Sequence, residues 1–384
     1  GEYISDDNGN ETYFDVSVVN IEENSEREPI NYVLPDSIFQ EQFLTTATNS
    51  FYLQNEQSLS IKVCELKDGD AKAAYRYLVL DMRNFKRARM FLHAEDIDNS
   101  LNDGDLSAFI RIGADYTTNY YEYEVPLKFT PHGSTDSKEI WPRINEINIP
   151  LDSLPLVKNM RNLANANSAF PFTMKHGANN NTITVVGNPD LGRVKTFMLG
   201  VRNPKTGIDN DGLSKCGEVW FNELRLEGFD ERGGSAALAR VDLQIADLGN
   251  MSVSGNMHTI GFGSIEQSVS ERFRDDFYQY DASSSIDVGK LVPKFIGLSL
   301  PVFANISESF SNPQFDPYDS DIELSDKIKL IENDTSLSAE AKKESIKATK
   351  DATQTYIGNK SLNFSNIRFS GNKGKSNPDK KKKK

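Results

Sequence analysis

Between Ser235 and Phe315 the chain falls into segments of about ten residues in which apolar and polar side chains alternate, with turns between them. From Ala237 to Ile245 the odd positions are Ala237, Ala239, Val241, Leu243 and Ile245, and the even ones are Leu238, Arg240, Asp242 and Gln244. From Met251 to Thr259, Met251, Val253, Gly255 and Met257 oppose Ser252, Ser254, Asn256 and His258. From Tyr278 to Val288, Tyr278, Tyr280, Ala282, Ile286 and Val288 oppose Gln279, Asp281, Ser283, Ser285 and Asp287; from Leu298 to Ile306, Leu298, Leu300, Val302 and Ile306 oppose Ser299, Asn305 and Ser307. Successive side chains of a strand point to opposite faces, so each segment carries one apolar and one wet face. A transmembrane β-barrel wall has this dyad repeat. A soluble sandwich with one face of each sheet buried has it too.

Three details favour the barrel. Charge sits mid-segment at Arg240, Asp242, Asp281 and Asp287, as a water-filled lumen allows. The apolar positions are thin, with Ala239, Gly255, Ala282 and Ala304, and a close-packed soluble core needs more volume than these supply. Aromatics gather near segment ends, at Phe277, Tyr278, Tyr280 and Phe310, where an interfacial girdle sits. On this reading Arg240, Asp242, Gln244, Asp281 and Asp287 face the lumen, and Val241, Leu243, Ile245, Ile286 and Val288 face lipid.

No apolar run approaches the length of a membrane helix, and a barrel shows none. Lys plus Arg number 43 against 56 Asp plus Glu, a net charge of −13, which argues against a nucleic-acid partner despite the basic tail Lys380–Lys384. The chain opens at Gly1 in an acidic stretch and closes in that lysine run, so it is expected to be a piece of a longer protein, and a missing targeting segment bears on no compartment. Cys64 and Cys216 either pair in an oxidising envelope or are two buried thiols.

Upstream, residues 1–50 read as a polar connecting segment with one possible strand at Tyr13–Val19. Residues 51–230 read as an all-β domain, because short alternating segments recur between Gly, Asn, Asp and Pro clusters. That spacing predicts a jelly-roll-like two-sheet sandwich with Val79, Phe91, Ile110, Phe197 and Trp220 in its core. A helix is expected over Ser153–Ala164 and a mobile loop over the Asn-rich stretch 162–181. Residues 231–323 hold the barrel strands. Residues 324–358 form a helical excursion in which Ser338 caps a helix running to about Thr353, and 359–384 hold a strand and the tail.

Little in the chain suggests catalysis. His93, His132, His176 and His258 are scattered, with no metal-ligand spacing, nucleophile elbow or phosphate-binding loop, so no enzyme activity, metal or cofactor is expected. His93 with Glu95 and Asp96 reads as a polar strand end. Asp209, Asp211 and Gly212 echo a calcium loop without its later ligands and read as a turn. Tyr116, Tyr120, Tyr121, Tyr123 and Trp141 offer an alternative, a sugar platform on a secreted or surface-anchored carbohydrate-binding sandwich, or simply fill the two faces of a strand.

The segment Glu218-Val-Trp-Phe-Asn-Glu-Leu-Arg-Leu226, followed by Gly228-Phe-Asp230 and Gly233-Gly234, resembles the gliding-motility and cell-surface SprA (Sov) family of the Bacteroidetes. The likeness runs on through Ala239–Gly255 with Asp247-Leu-Gly-Asn250, Gly261-Phe-Gly-Ser-Ile-Glu-Gln267, Tyr280-Asp281, Ser311-Asn-Pro-Gln-Phe-Asp-Pro317 and Ser361-Leu-Asn-Phe-Ser-Asn-Ile-Arg368. The resemblance implies an internal portion of the outer-membrane translocon of the type IX secretion system. It implies a very large single-chain barrel that passes folded cargo bearing a C-terminal signal and that binds a plug subunit and a PorV-type shuttle protein. Under it the sandwich is an insertion at the barrel rim or cap, and the bacterial outer membrane is the expected location.

Overall fold

The computed structural model describes residues 12–36, 38, 42–45, 50–53, 55–205 and 212–370. The chain divides into two compact units: Gly1–Asp230 with Tyr318–Ile322, and Glu231–Pro317 with Glu323–Lys384. It is mostly antiparallel β-structure with few helices, as expected for an all-β chain.

The first unit runs β1 (Tyr13–Asn20), α1 (Ile21–Asn24), β2 (Gln42–Thr45), β3 (Ser50–Leu53), β4 (Gln57–Leu66), β5 (Ala71–Leu80), β6 (Arg87–Asp96), β7 (Ser107–Gly113), β8 (Tyr120–Pro126), α2 (Ser137–Ile140), β9 (Ile147–Pro150), α3 (Ser153–Leu163), β10 (Phe172–His176), β11 (Asn181–Val186), β12 (Val194–Arg202) and β13 (Lys215–Glu227). One sheet has the order β1-β4-β13-β6-β9 and the other β10-β11-β8-β7-β12-β5. Alternate residues of facing strands meet between them. Ile61, Val63, Leu92, Val219 and Phe221 of one sheet pack with Ile110, Ile112, Tyr121, Tyr123, Ile183 and Val185 of the other.

A second core lies on the far side of the first sheet. Trp220 alternates with Val219 and Phe221 and so points away from the main core. It packs with Val19, Ile30, Tyr32, Ile140 and Trp141. Polar groups share this layer: Arg27 bonds Glu95 at 2.7 Å and Glu218 at 2.9 Å, and Glu218 accepts from Ser60 at 2.7 Å and from the Trp220 indole at 2.8 Å. His93 packs on Trp220 with ring centroids 4.0 Å apart and planes tilted by 37°, and it is fully buried, so it is a packed core residue and not a polar strand end. The expected boundary at residue 50 is absent as well, because β1 pairs with β4 from Tyr13↔Cys64 to Asn20↔Gln57.

Other expectations change. Cys64 and Cys216 form a disulfide. It joins β4 to β13 where the register slips between Lys215 and Gly217. Ser153–Leu163 is helical as expected, but the Asn-rich stretch holds a hairpin in which β10 pairs with β11. Phe172, Met174 and His176 alternate with Thr173 and Lys175, and that periodicity outweighs the loop-like composition around it. Val79 is 82% exposed: Ala74 and Leu80 face the main core, so alternation along β5 puts Val79 on its outer face. Asp209 and Asp211 of the calcium-like turn, and the lysine tail, lie outside the described residues.

The second unit contains β14 (Ala236–Ile245), β15 (Gly249–His258), β16 (Asp275–Asp287), β17 (Leu298–Ser299), β18 (Pro301–Pro313), α4 (Leu324–Asn333), α5 (Ala339–Thr353), β19 (Thr355–Phe364) and β20 (Arg368–Phe369). β14-β15-β16-β18-β19 form one open antiparallel meander, and β17 pairs only with β20. No closed barrel forms among the described residues. The expected helix is present as α5, with Ser338 as its cap accepting from the Ala341 N–H at 3.2 Å. A further helix, α4, precedes it.

Candidate functional site

The second unit's meander is the site that the alternation pointed to. Its registers line up side chains in rows across all five strands. One face carries Ala237-Met257-Tyr278-Phe310-Tyr356, Ala239-Gly255-Tyr280-Glu308-Gly358, Val241-Val253-Ala282-Ile306-Lys360, Leu243-Met251-Ser284-Ala304-Leu362 and Ile245-Gly249-Ile286-Val302-Phe364. The other carries Leu238-Asn256-Gln279-Ser309-Ile357, Arg240-Ser254-Asp281-Ser307-Asn359, Asp242-Ser252-Ser283-Asn305-Ser361 and Gln244-Asn250-Ser285-Phe303-Asn363. One face is therefore mainly apolar, with Glu308, Lys360 and Ser284 as its polar members. The opposite face is a carpet of Ser, Asn and Gln with a few charges.

This register puts Arg240, Asp242, Gln244 and Asp281 together on the polar face and Val241, Leu243, Ile245 and Ile286 on the apolar one. Asp287 shares the parity of Asp281, but its carboxylate accepts from the N–H groups of Gly289 at 3.1 Å and Leu300 at 2.8 Å and from Ser299 at 3.2 Å, so it caps the turn that ends the strand. Val288 is not on the strand. It opens the short 3₁₀ turn Val288–Leu291 after β16, which breaks the alternation that had included it. Leu298 belongs to the small β17–β20 ribbon, and Leu300 precedes β18.

On the polar face Arg240 pairs with Asp242 at 3.0 Å, and Gln279 donates to Asp281 at 3.0 Å. Among the described residues the apolar face has no cover within its unit: Val241 is 54% and Leu243 50% exposed. Gly249 sits at its tight end, where a Cβ would fall 2.1 Å from the Ser285 carbonyl oxygen, so no larger residue fits there.

One feature of the apolar face escaped the sequence reading. Glu308 lies in the second row, where it accepts from the Tyr280 hydroxyl and pairs with Lys360 at 2.8 Å. Both strands run further than expected, β18 on to Pro313 and β19 back to Thr355, so the alternation Ile306, Glu308, Phe310 was the available signal.

The tyrosines offered as an alternative sugar platform do not form one. Tyr121 and Tyr123 lie in the main core and Trp141 in the second core. Tyr120 is buried with the Arg111 guanidinium 4.3 Å over its ring. Only Tyr116 stays partly open, stacked on Tyr75 at 4.8 Å. That face of the second sheet is instead tied by ions: Arg111 bonds Glu122 at 2.5 Å, Arg202 bonds Glu122 at 2.9 Å and also pairs with Glu124. Burial pushes the Glu122 carboxyl up, but Arg202 and Arg111 outweigh it and hold the group below its ordinary value.

Among the described residues no group of His, Cys, Asp and Glu is arranged to hold a metal ion. Among the described residues no helix is long and apolar enough to cross a membrane, which says nothing of strands. The SprA_N family model, described as motility related/secretion protein, matches residues 2–328. The chain belongs to this family. No curated protein matches it. Membership in a secretion and motility family is consistent with the cell envelope, and the Cys64–Cys216 disulfide suits an oxidising compartment.

Proposed function

We propose that this SprA-family chain is part of the outer-membrane protein-conducting barrel of the type IX secretion system, which passes folded cargo with a C-terminal signal to the cell surface of Bacteroidetes and supports gliding motility. In this reading β14, β15, β16, β18 and β19 are wall strands, with the Ser/Asn face toward a hydrated lumen and the apolar face toward lipid. The observation that carries it is the exposed, mainly apolar face of five rows, interrupted by Ser284 and the Glu308–Lys360 pair and backed by a polar face. Its height fits. Eight residues separate the Tyr278 and Ile286 rows, about 27 Å at ~3.4 Å per residue. A tilt of about 40° brings that to about 21 Å, close to the ~25 Å apolar band of such barrels. The outer edges of β14 and β19 would leave backbone groups unpaired in lipid, so the wall continues on both sides.

The first unit reads as a jelly-roll cap or rim domain. Taking β4 to β9 and then β12 and β13 in chain order, the sheets β4-β13-β6-β9 and β5-β12-β7-β8 have the connectivity of two Greek keys. A hydrated conduit offers folded cargo few sticky patches and needs no catalytic residue, metal or cofactor. A plug subunit and a PorV-type shuttle are its expected partners, and nucleic acid is not. The test is single-cysteine labelling in native membranes, in a chain whose own cysteines are disulfide-bonded. Asp242→Cys and Asp281→Cys should react with a water-soluble maleimide, while Leu243→Cys and Ile286→Cys should be protected. Equal labelling on the two faces refutes the assignment.

A further inference from the structure

The first unit is completed by five residues from far along the chain. Tyr318–Ile322 belongs to it, although the residues on either side belong to the second unit. The segment meets one slot, walled by α3, β8 and the turn before β12. Asp321 accepts from the Tyr121 hydroxyl at 2.7 Å and the Leu191 N–H at 3.3 Å, and it pairs with Lys158. Lys158 also donates to the Pro189 carbonyl at 2.9 Å and lies 3.5 Å from Asp319. Ser320 donates to Asp190 at 2.7 Å, its carbonyl accepts from Arg83 at 2.9 Å, and Ile322 is buried. The side chains of Lys158 and Asp321 are 1% and 0% exposed. A lysine buried so deeply in the apolar face of a helix needs a counter-charge, and the carboxylate that provides it arrives 163 residues later.

The segment is held to the slot by side chains and not by strand pairing. It is a preformed turn, closed by Ile322 N–H donating to the Asp319 carbonyl at 2.9 Å. Its neck is pinched independently. Phe315 bridges to Glu323, Leu324 N–H donates to the Gln314 carbonyl at 2.9 Å, and Asp316 pairs with Lys327. A turn that keeps its shape without the slot can leave it without unravelling.

We infer that residues 318–322 are a separable strap, which docks Asp321 onto Lys158 and withdraws while both sheets of the first unit stay folded. With the strap out, the slot is a carboxylate receptor made of one cation and two donors, Lys158 Nζ, the Tyr121 hydroxyl and the Leu191 N–H. While it is docked, the chain from β14 to β18 is a loop closed at the sandwich.

Hydrogen–deuterium exchange on the full chain tests this. In the unaltered protein, peptides covering 316–324 should exchange at least about tenfold faster than those of β7 and β8, reporting a local opening. Asp321→Asn should speed strap exchange by a further tenfold or so while β7 and β8 keep their protection. The double variant Lys158→Met with Asp321→Leu replaces the pair by apolar groups and should restore strap protection. The inference is overturned if the strap and β7–β8 exchange together in the unaltered protein, or if Asp321→Asn changes nothing. It is also overturned if that variant fails to fold, or if the double variant exchanges as fast as the single one.

Discussion

Breaking the Cys64–Cys216 bond should be the most costly small change to the first unit. The bond closes a loop with a sequence separation of 152, which takes in β5 through β12 and thus the whole second sheet and β6 and β9 of the first. Chain-entropy arithmetic for a loop of that length gives about 5 kcal/mol of stabilisation through the unfolded state, with about 2–4 kcal/mol the usual yield. Domains of this kind are stable by roughly 5–15 kcal/mol, so the Cys64→Ala, Cys216→Ala double variant should still fold, but with a much lower urea midpoint. β4 and β13 remain paired from Val63↔Gly217 to Leu59↔Phe221 without the bond, so the native contacts survive. The assay is intrinsic tryptophan fluorescence. The chain has two tryptophans, and both lie in the second core of the first unit. Their signal therefore reports that unit alone, even with the full chain in detergent. The unbridged unfolded state is more extended, so the slope of the transition should rise as its midpoint falls. A loss below about 1 kcal/mol with an unchanged slope refutes the reasoning.

In refolding titrations into lipid, Leu243→Arg should cost about 2–4 kcal/mol if that row lies near the bilayer midplane, and Asp242→Arg close to nothing; equal costs would remove the sidedness. The pH dependence of the first unit should carry the Arg111–Glu122–Arg202 cluster. A depressed carboxyl contributes stability that is present above its unfolded value and lost as pH falls through its lowered folded value, so Glu122→Gln should lower stability at neutral pH and flatten the acid limb of tryptophan-monitored melts.

What was legible in the sequence was local. The two-residue alternation placed β14, β15, β16 and β18, and the Ser338 cap placed α5, because strand faces and helix ends are set by neighbours within a few positions. Where local order slips, the reading slips with it. The 3₁₀ turn after Asp287 removed Val288 from its strand. What was not legible was distant. Lys158 finds Asp321, and Cys64 finds Cys216, only after two sheets have folded over each other, and nothing near either residue marks its partner. The hairpin β10–β11 is a different case, since its alternation was present but the Asn-rich composition around it was given more weight.

Side-chain volume, which differs between the two units, would separate a buried sheet from the membrane wall proposed for the second, where alternation alone does not. In the first unit the inner faces carry Ile61, Val63, Leu92, Ile110, Ile112 and Phe221, large enough to fill the ~10 Å between packed sheets. The second unit's apolar face has Ala239, Gly255, Ala282, Ser284, Ala304 and Gly358 in its rows, and these would leave such a gap empty. A fluid solvent such as lipid needs no matching volume, so adding bulk should have opposite consequences in the two places. A Cβ at Gly255 meets only the Gln279 carbonyl at 3.6 Å, an ordinary contact, whereas one at Gly217 falls 2.7 Å from the Leu106 side chain inside the first unit. Gly255→Val should therefore leave folding into lipid within about 0.5 kcal/mol of the unaltered chain. Gly217→Val should cost the first unit about 1–3 kcal/mol by overpacking. Denaturant titrations of the two variants decide the matter: a comparable loss at Gly255 would mean that its face is packed against protein and not against lipid.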